Sequence, residues 1–185
     1  MGSLTLGSGA SMMEAALAYA EMDWPVFPVW NPTQDGGCAC PKGLDCPRPA
    51  KHPMGELVPR GVKNATTDPG SIREWWTRRP EANIGLATGK RSGLIVLDVD
   101  PNKGGFEALS ALIRRHGPLP ETFVVHTGGG GLHFYFKHPG GHVPNSSAKV
   151  GPGLDIRGDG GYVLLPPSVH ATRRDYGWQG AWDDE

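Results

Sequence analysis

Leu94-Ile95-Val96-Leu97-Asp98-Val99-Asp100 is the stretch on which the fold turns. Four consecutive apolar residues leave the strand no polar face, so it is expected to run through the middle of a sheet with both sides covered. The strand ends in two carboxylates spaced i and i+2, which point to the same face. Like charges on one face repel unless a cation lies between them, and hard divalent ions prefer carboxylate oxygen. The plainer alternative is a solvated strand end running into a Pro101-Asn102 turn.

Working outward, residues 83–88 and 24–30 read as strands, the latter broken by Pro25 and Pro28. Residues 11–21 read as a helix with a Ser11/Glu14 capping box and Met13, Ala16, Leu17 and Ala20 along one face. Asp68 caps a second helix with Pro69 at its first position, and Ile72, Trp75 and Trp76 form its buried stripe. A third helix over 105–115 is expected to bury Phe106, Leu109, Leu112 and Ile113. Strands follow near 122–126, 132–137 and 161–165, with hairpin-like spacing after residue 120. The mixture predicts an α+β fold, a sheet covered on one side by helices.

A chain of 185 residues suits one domain, read as residues 11–185 behind a flexible leader at 1–10, and its 28 Gly and 18 Pro require many turns and short elements. No apolar run approaches the ~20 residues that span a bilayer, and the start lacks a secretory pattern. A cytoplasmic protein with no membrane partner is expected. The net charge of −1 neither requires nor excludes nucleic acid, because acids that hold metal offset a basic template path.

Residues 127–136 place four glycines before Leu132-His133-Phe134-Tyr135-Phe136. Gly129, Gly130 and Gly131 would let backbone N–H groups approach an anion. With Leu132, Phe134 and Phe136 filling the core, His133 is expected on the opposite side, near the glycine turn, where it suits a phosphate. A tight hairpin with an exposed histidine is the alternative. In Gly153-Leu154-Asp155-Ile156-Arg157, the alternation sets Asp155 on a strand face as a third metal ligand. Arg157 shares that face, to pair with Asp155 or to bind phosphate. Asp159, between glycines, reads as a turn residue.

The three cysteines fall within nine residues, as Cys38-x-Cys40-x5-Cys46, with His52 following. Three thiolates and an imidazole make a structural Zn2+ set within a loop over 31–59. Arg60, Lys63, Arg73, Arg78, Arg79, Lys90 and Arg91 are candidates for a template path with Trp75 or Trp76 stacking on bases. A solvated charged face over a tryptophan core is the simpler reading of the same residues.

The ordered set of Asn83-Ile84-Gly85, Asp98-x-Asp100, Gly131-Leu132-His133, Gly153-Leu154-Asp155-Ile156-Arg157 and Pro166-Pro167-Ser168 resembles the archaeo-eukaryotic primase superfamily. It is closest to the bifunctional primase–polymerase domain of plasmid and phage replication proteins. The resemblance implies an RNA-recognition-motif-like sheet and a second αβ module around an open cleft. It implies Asp98, Asp100 and Asp155 as ligands for two Mg2+ or Mn2+ ions, and His133 as a nucleotide-phosphate contact, with Lys149 and Arg157 as further phosphate candidates. The activity implied is primer synthesis and DNA polymerisation from nucleoside triphosphates on a single-stranded DNA template, alongside a replicative helicase in the same chain or apart. Two rival classes are a metal-dependent glycosyltransferase, which also uses an Asp-x-Asp pair, and a non-catalytic module binding single-stranded or origin DNA.

Overall fold

A computed structural model describes residues 9–179, so nearly all of the expected leader lies outside the described residues. The elements, in chain order, are α1 (Met12–Glu21), β1 (Val26–Val29), α2 (Pro69–Arg78), β2 (Asn83–Ala87), β3 (Leu94–Val99), α3 (Gly105–His116), β4 (Phe123–His126), β5 (Leu132–Lys137), β6 (Ser146–Gly151), β7 (Leu154–Arg157), β8 (Tyr162–Leu165) and β9 (Gly177–Trp178). Alternation along the chain alone points to one sheet; there are two, both antiparallel, in keeping with the two modules that the family resemblance implies. One has the order β1-β2-β8 and the other β6-β7-β3-β5-β4-β9. The apolar run is interior as expected: β3 pairs with β5 on one side and β7 on the other.

Strand alternation divides β3 between two cores. Leu97 and Val99 face α3 and pack with Leu109, Leu154 and the half-buried Leu132, Phe134, Phe136 and Ile156. Val96 points the other way into the larger core, which joins α1, α2 and the three-stranded sheet. Tyr135, directly opposite Val96, shares that face and stacks on Trp24 with centroids 6.1 Å apart. The alternation of β5 is as expected, with Leu132, Phe134 and Phe136 on one face and His133 and Tyr135 on the other; what differs is that the His133 face is covered too. Tyr135 is 2% and His133 6% exposed, so theirs is the more buried face, because the larger core lies on it.

Local signals set the helix ends. The Ser11/Glu14 capping box is present, and Asp68 accepts from the Ser71 amide at 2.7 Å ahead of Pro69. Ile72, Trp75 and Trp76 are the buried residues of α2. Two stripes are displaced. In α1 the buried set is Ala15, Ala16, Tyr19 and Ala20, with Met13 and Leu17 at its margin. Tyr19 is drawn inward because its hydroxyl donates to the Pro166 carbonyl at 2.7 Å and accepts from Trp178 Nε1 at 3.0 Å. In α3 only Gly105 and Leu109 are buried, while Phe106 is 40% and Ile113 37% exposed. A single helix lying on one side of a sheet buries a narrow stripe, and those two residues fall outside it.

Two strands had no counterpart in the sequence reading, β6 and β9. The β6–β7 register shifts between Ser146 and Gly151, and Ala148 within it has φ +54°. Such a bulge re-aims backbone groups, here toward β7.

Buried Asn83 joins distant segments. Its side-chain amide donates to Val169 O at 2.8 Å and more weakly to Ala50 O at 3.4 Å and Trp30 O at 3.5 Å, while its oxygen accepts from Val169 N at 2.9 Å. Ser168 Oγ accepts from the neighbouring Ile84 N–H at 2.9 Å. These bonds hold residues 168–170 and the Cys/His loop against β2.

Candidate active site

Residues opposite one another on paired strands share a face. The registers Asp98↔Asp155 and Asp98↔His133 therefore set three side chains in one row across β7, β3 and β5. The next row back pairs Arg157 with Val96. The first row opens into a cavity of about 520 Å3. Its lining includes Asp98, Asp100, Asp155, His133 and Arg157 on one side, and Tyr162, Val163 and Leu164 of β8 on the other. It lies between the two sheets and falls within the size range of small-ligand pockets.

The acids carry internal counter-charges. Arg157 Nη2 lies 2.9 Å from Asp98 Oδ2 and 3.0 Å from Asp155 Oδ2, so one guanidinium bridges two carboxylates. The other oxygen of Asp155 accepts from Ser147 Oγ at 2.8 Å and Ala148 N at 3.1 Å, both supplied by the β6 bulge. Asp100 accepts from Asn102 N at 3.0 Å and pairs with Lys103 Nζ at 3.0 Å. Burial pushes the Asp100 carboxyl up, but Lys103 and the Asn102 amide outweigh it, so the net shift is downward. Hard carboxylate oxygens around a bridging cation are a donor set suited to Mg2+ or Mn2+.

His133 Nε2 stands 3.6 Å from Asp98 Oδ1, and its Nδ1 is buried without a hydrogen-bond partner among the described residues. Burial lowers its pKa; the Asp98 charge opposes this, and Arg157 and Lys51 add to the lowering. The ring is therefore neutral at pH 7, with one N–H to donate.

The glycine turn has several causes. A Cβ on Gly131 would strike the Val99 carbonyl, and one on Gly128 would collide with His170 and the Arg174 carbonyl. Gly130 has φ +86°, a region that favours glycine. The Gly130 amide donates to Thr127 O at 2.9 Å and the Gly131 amide to Thr127 Oγ1 at 3.0 Å. Among the described residues, the Gly129 amide has no such acceptor, and Gly129 lines the cavity as Gly131 does. Lys149 is exposed on β6 and is not part of the lining.

Asp159 stands apart as a structural hub. It accepts from Lys90 N at 2.9 Å and Val143 N at 2.9 Å, with His142 Nδ1 at 3.0 Å, and the two amides foremost hold its carboxyl down at about 2.

The Cys/His loop holds a second donor set. The ligand atoms of Cys38, Cys40, Cys46 and His52 all lie within 4.8 Å of one another. His52 Nε2 is 3.5 Å from Cys38 Sγ and 3.3 Å from Cys46 Sγ. Tetrahedral zinc with its usual bond lengths puts sulfur and nitrogen ~3.6 Å apart, so the spacing fits. Burial raises the Cys38 thiol to about 11 and lowers His52, which favours a neutral imidazole. The cluster could hold zinc.

Sequence reasoning missed Arg48, Lys51, Lys103, Asn145, His170 and Tyr176 in the lining. His170 follows the Pro166-Pro167-Ser168 segment by two residues, and Arg48 and Lys51 lie between Cys46 and His52, but neither signal says that these side chains reach the cavity. The cavity's other contributors come from loops that no local pattern brings together.

Two antiparallel sheets around a cleft, with an acid row on the central strands and a glycine turn beside it, define a primase-like α+β domain. The family model described as "Bifunctional DNA primase/polymerase, N-terminal" matches residues 16–183, and the chain belongs to that family. Membership supports primase- and polymerase-type chemistry on DNA and nucleotides. No curated protein sequence matches the chain. Among the described residues, no helix is long and apolar enough to cross a membrane.

Proposed function

We propose that this chain starts and extends nucleic-acid strands on single-stranded DNA, by two-metal nucleotidyl transfer from nucleoside triphosphates, in plasmid or phage replication with a helicase as partner. The observation that carries the reading is the row Asp155, Asp98, His133 across β7, β3 and β5, opening into one cavity with Asp100 and the glycine turn. Bound at Asp98, Asp100 and Asp155, divalent ions supply activation of the attacking 3′-hydroxyl and neutralisation of the phosphates. His133 donates an N–H to a phosphate oxygen, and the Gly129 amide is placed to do the same. With metal held by those carboxylates, Arg157, which otherwise bridges Asp98 and Asp155, would be free to pair with the triphosphate. The protein thus contributes position and fixed charge, without a covalent nucleophile.

The test is strand synthesis on a single-stranded template, with and without a primer, with Mg2+ or Mn2+. Asp98→Ala or Asp100→Ala should lower incorporation by about a thousandfold or more with the fold retained. His133→Ala should weaken nucleotide binding while the variant still takes up Mn2+. Template binding by the wild type without any synthesis would favour the non-catalytic binding module instead.

A further inference from the structure

The cavity has a cationic side that the acid row does not explain. Arg48 and Lys51 line it, and among the described residues neither makes an ion pair. Both lie in Cys46-Pro47-Arg48-Pro49-Ala50-Lys51-His52, between two donors of the sulfur cluster. The loop is clamped around them. Tyr162 donates its hydroxyl to Lys51 O at 2.8 Å, Asn83 reaches Ala50 O at 3.4 Å, and Trp30 N–H donates to His52 O at 3.1 Å. The Lys51 charge reaches across the cavity, where it contributes to the downward shifts of His133, Asp100 and His170.

His170 adds a directed ring nitrogen. Its Nδ1 is held at Thr172, 3.0 Å from Oγ1 and 3.2 Å from the amide nitrogen, while Oγ1 donates to Gly128 O at 2.7 Å. Nε2 lies on the Gly129 side of the ring. Two cations with no ion pair among the described residues, an imidazole nitrogen and a backbone N–H thus share one cavity with three carboxylates. Carboxylates that hold metal and cations that hold phosphate are the two halves of a site for a metal-bound polyphosphate.

We propose that the Cys/His loop is part of the nucleotide site: pinned by zinc at Cys46 and His52, it presents Lys51 and Arg48 to the triphosphate of the incoming nucleotide, with His170 Nε2 and the Gly129 amide beside them. The proposal rests on the nucleotide-site reading above and goes beyond it by giving the loop a direct role in binding. A nucleotide is favoured over the template strand because these groups share a bounded cavity with the acids. Single-stranded nucleic acid is held along open grooves with stacking aromatics.

The experiment measures binding of dATP, of inorganic tripolyphosphate and of a single-stranded oligonucleotide by calorimetry with Mn2+. It compares wild type, Lys51→Ala, Arg48→Ala, Lys51→Arg and zinc-stripped protein. Lys51→Ala should weaken dATP and tripolyphosphate by about tenfold, since hydrogen bonds to charged groups are each worth that much or more. Lys51→Arg should recover most of it, and oligonucleotide binding should stay within about twofold. Zinc-stripped protein should lose at least as much dATP affinity as Lys51→Ala, and Lys51→Ala should cost little more on that background.

Weaker oligonucleotide binding with unchanged dATP affinity would overturn the proposal and give the cations to the template. Full dATP affinity in zinc-stripped protein would overturn it too. A wild type that binds dATP tightly while every variant matches it sinks this proposal alone. A wild type that binds dATP but never incorporates it sinks the polymerase reading alone.

Discussion

The two donor sets of this chain differ in the partners their ligands keep within the protein. Cys38, Cys40, Cys46 and His52 face one another, with sulfur–nitrogen separations of 3.3 and 3.5 Å. Asp98, Asp100 and Asp155 face the protein's own cations and amides: Arg157, Lys103, Asn102 and the Ser147-Ala148 bulge. Soft ligands converged on one point, with backbone amides such as those of Ala50, Lys42 and Gly43 beside them but no paired counter-charge, suit an ion that stays. Hard ligands with internal counter-charges can release an ion and take it up again, which suits one that arrives and departs with substrate. The difference lies in the second layer of charge as much as in the softness of the donors.

The sharpest way to break this comparison is to remove the soft set. Cys40→Ser/Cys46→Ser should abolish zinc content by elemental analysis and lower the melting temperature by about 10 °C or more, because zinc binding is folding energy for a loop with little core of its own. A variant melting like wild type would show that the loop holds its shape through turns alone.

A smaller effect is expected at the hard set. Arg157→Gln leaves Asp98 and Asp155 side by side without their shared counter-charge. Both carboxylates are about a fifth exposed, at 23% and 19%, so solvent screens part of the repulsion. A loss of about 1–2 kcal/mol in metal-free stability is expected. Mn2+ affinity, read by electron paramagnetic resonance, should rise severalfold because the competing cation is gone. Unchanged Mn2+ affinity would mean that Arg157 never competes with metal, and the contrast between the two sets would shrink to ligand softness alone.

The smallest effect concerns pH at the edge of the hard site. Burial foremost, then Lys51 and Arg174, lowers His170 to about 4. The unfolded side chain titrates near 6.5. Between those values the unfolded chain binds a proton that the folded one does not, so stability falls as pH drops from about 6.5 to about 4 and levels off below. Melting curves at pH 7 and pH 5 should show this, and His170→Gln should reduce the pH 5 loss by about a few degrees. An identical pH dependence in the variant would remove His170 as its source.

Much of this arrangement was legible along the chain because it depends on local rules. The interior place of β3 follows from Leu94 to Leu97, and the α2 start from Asp68-Pro69. That Asp98, His133 and Asp155 belong on strands beside a glycine turn could be read from alternation. What alternation could not supply was which face of β5 the larger core would cover, because Tyr135 and Phe134 are equally good fillers. The polar run Ser146-Ser147-Ala148-Lys149 shows no strand period, so its bulge, and the hold it takes on Asp155, had no signal. Phe106 and Ile113 look like core on a helical wheel, yet α3 meets too narrow a surface to cover them. Arg48, Lys51 and His170 reach the cavity through contacts with Tyr162, Asn83 and Thr172, and such long-range pairings leave no local trace.

The order of the strands also orders events during synthesis. The ladders joining β3, β5 and β7 need only residues 94–157, one uninterrupted stretch. The three-stranded sheet gathers β1, β2 and β8 from both sides of that stretch. The Cys/His loop leaves the ribosome early, but Tyr162 and Val169, which help to clamp it, follow more than a hundred residues later. At the usual pace of translation the delay is on the order of 10 s. Through that interval the loop can be held by its own turns, β1 and Asn83 of β2, and β8, the last strand of its sheet to arrive, closes both the loop and the cleft.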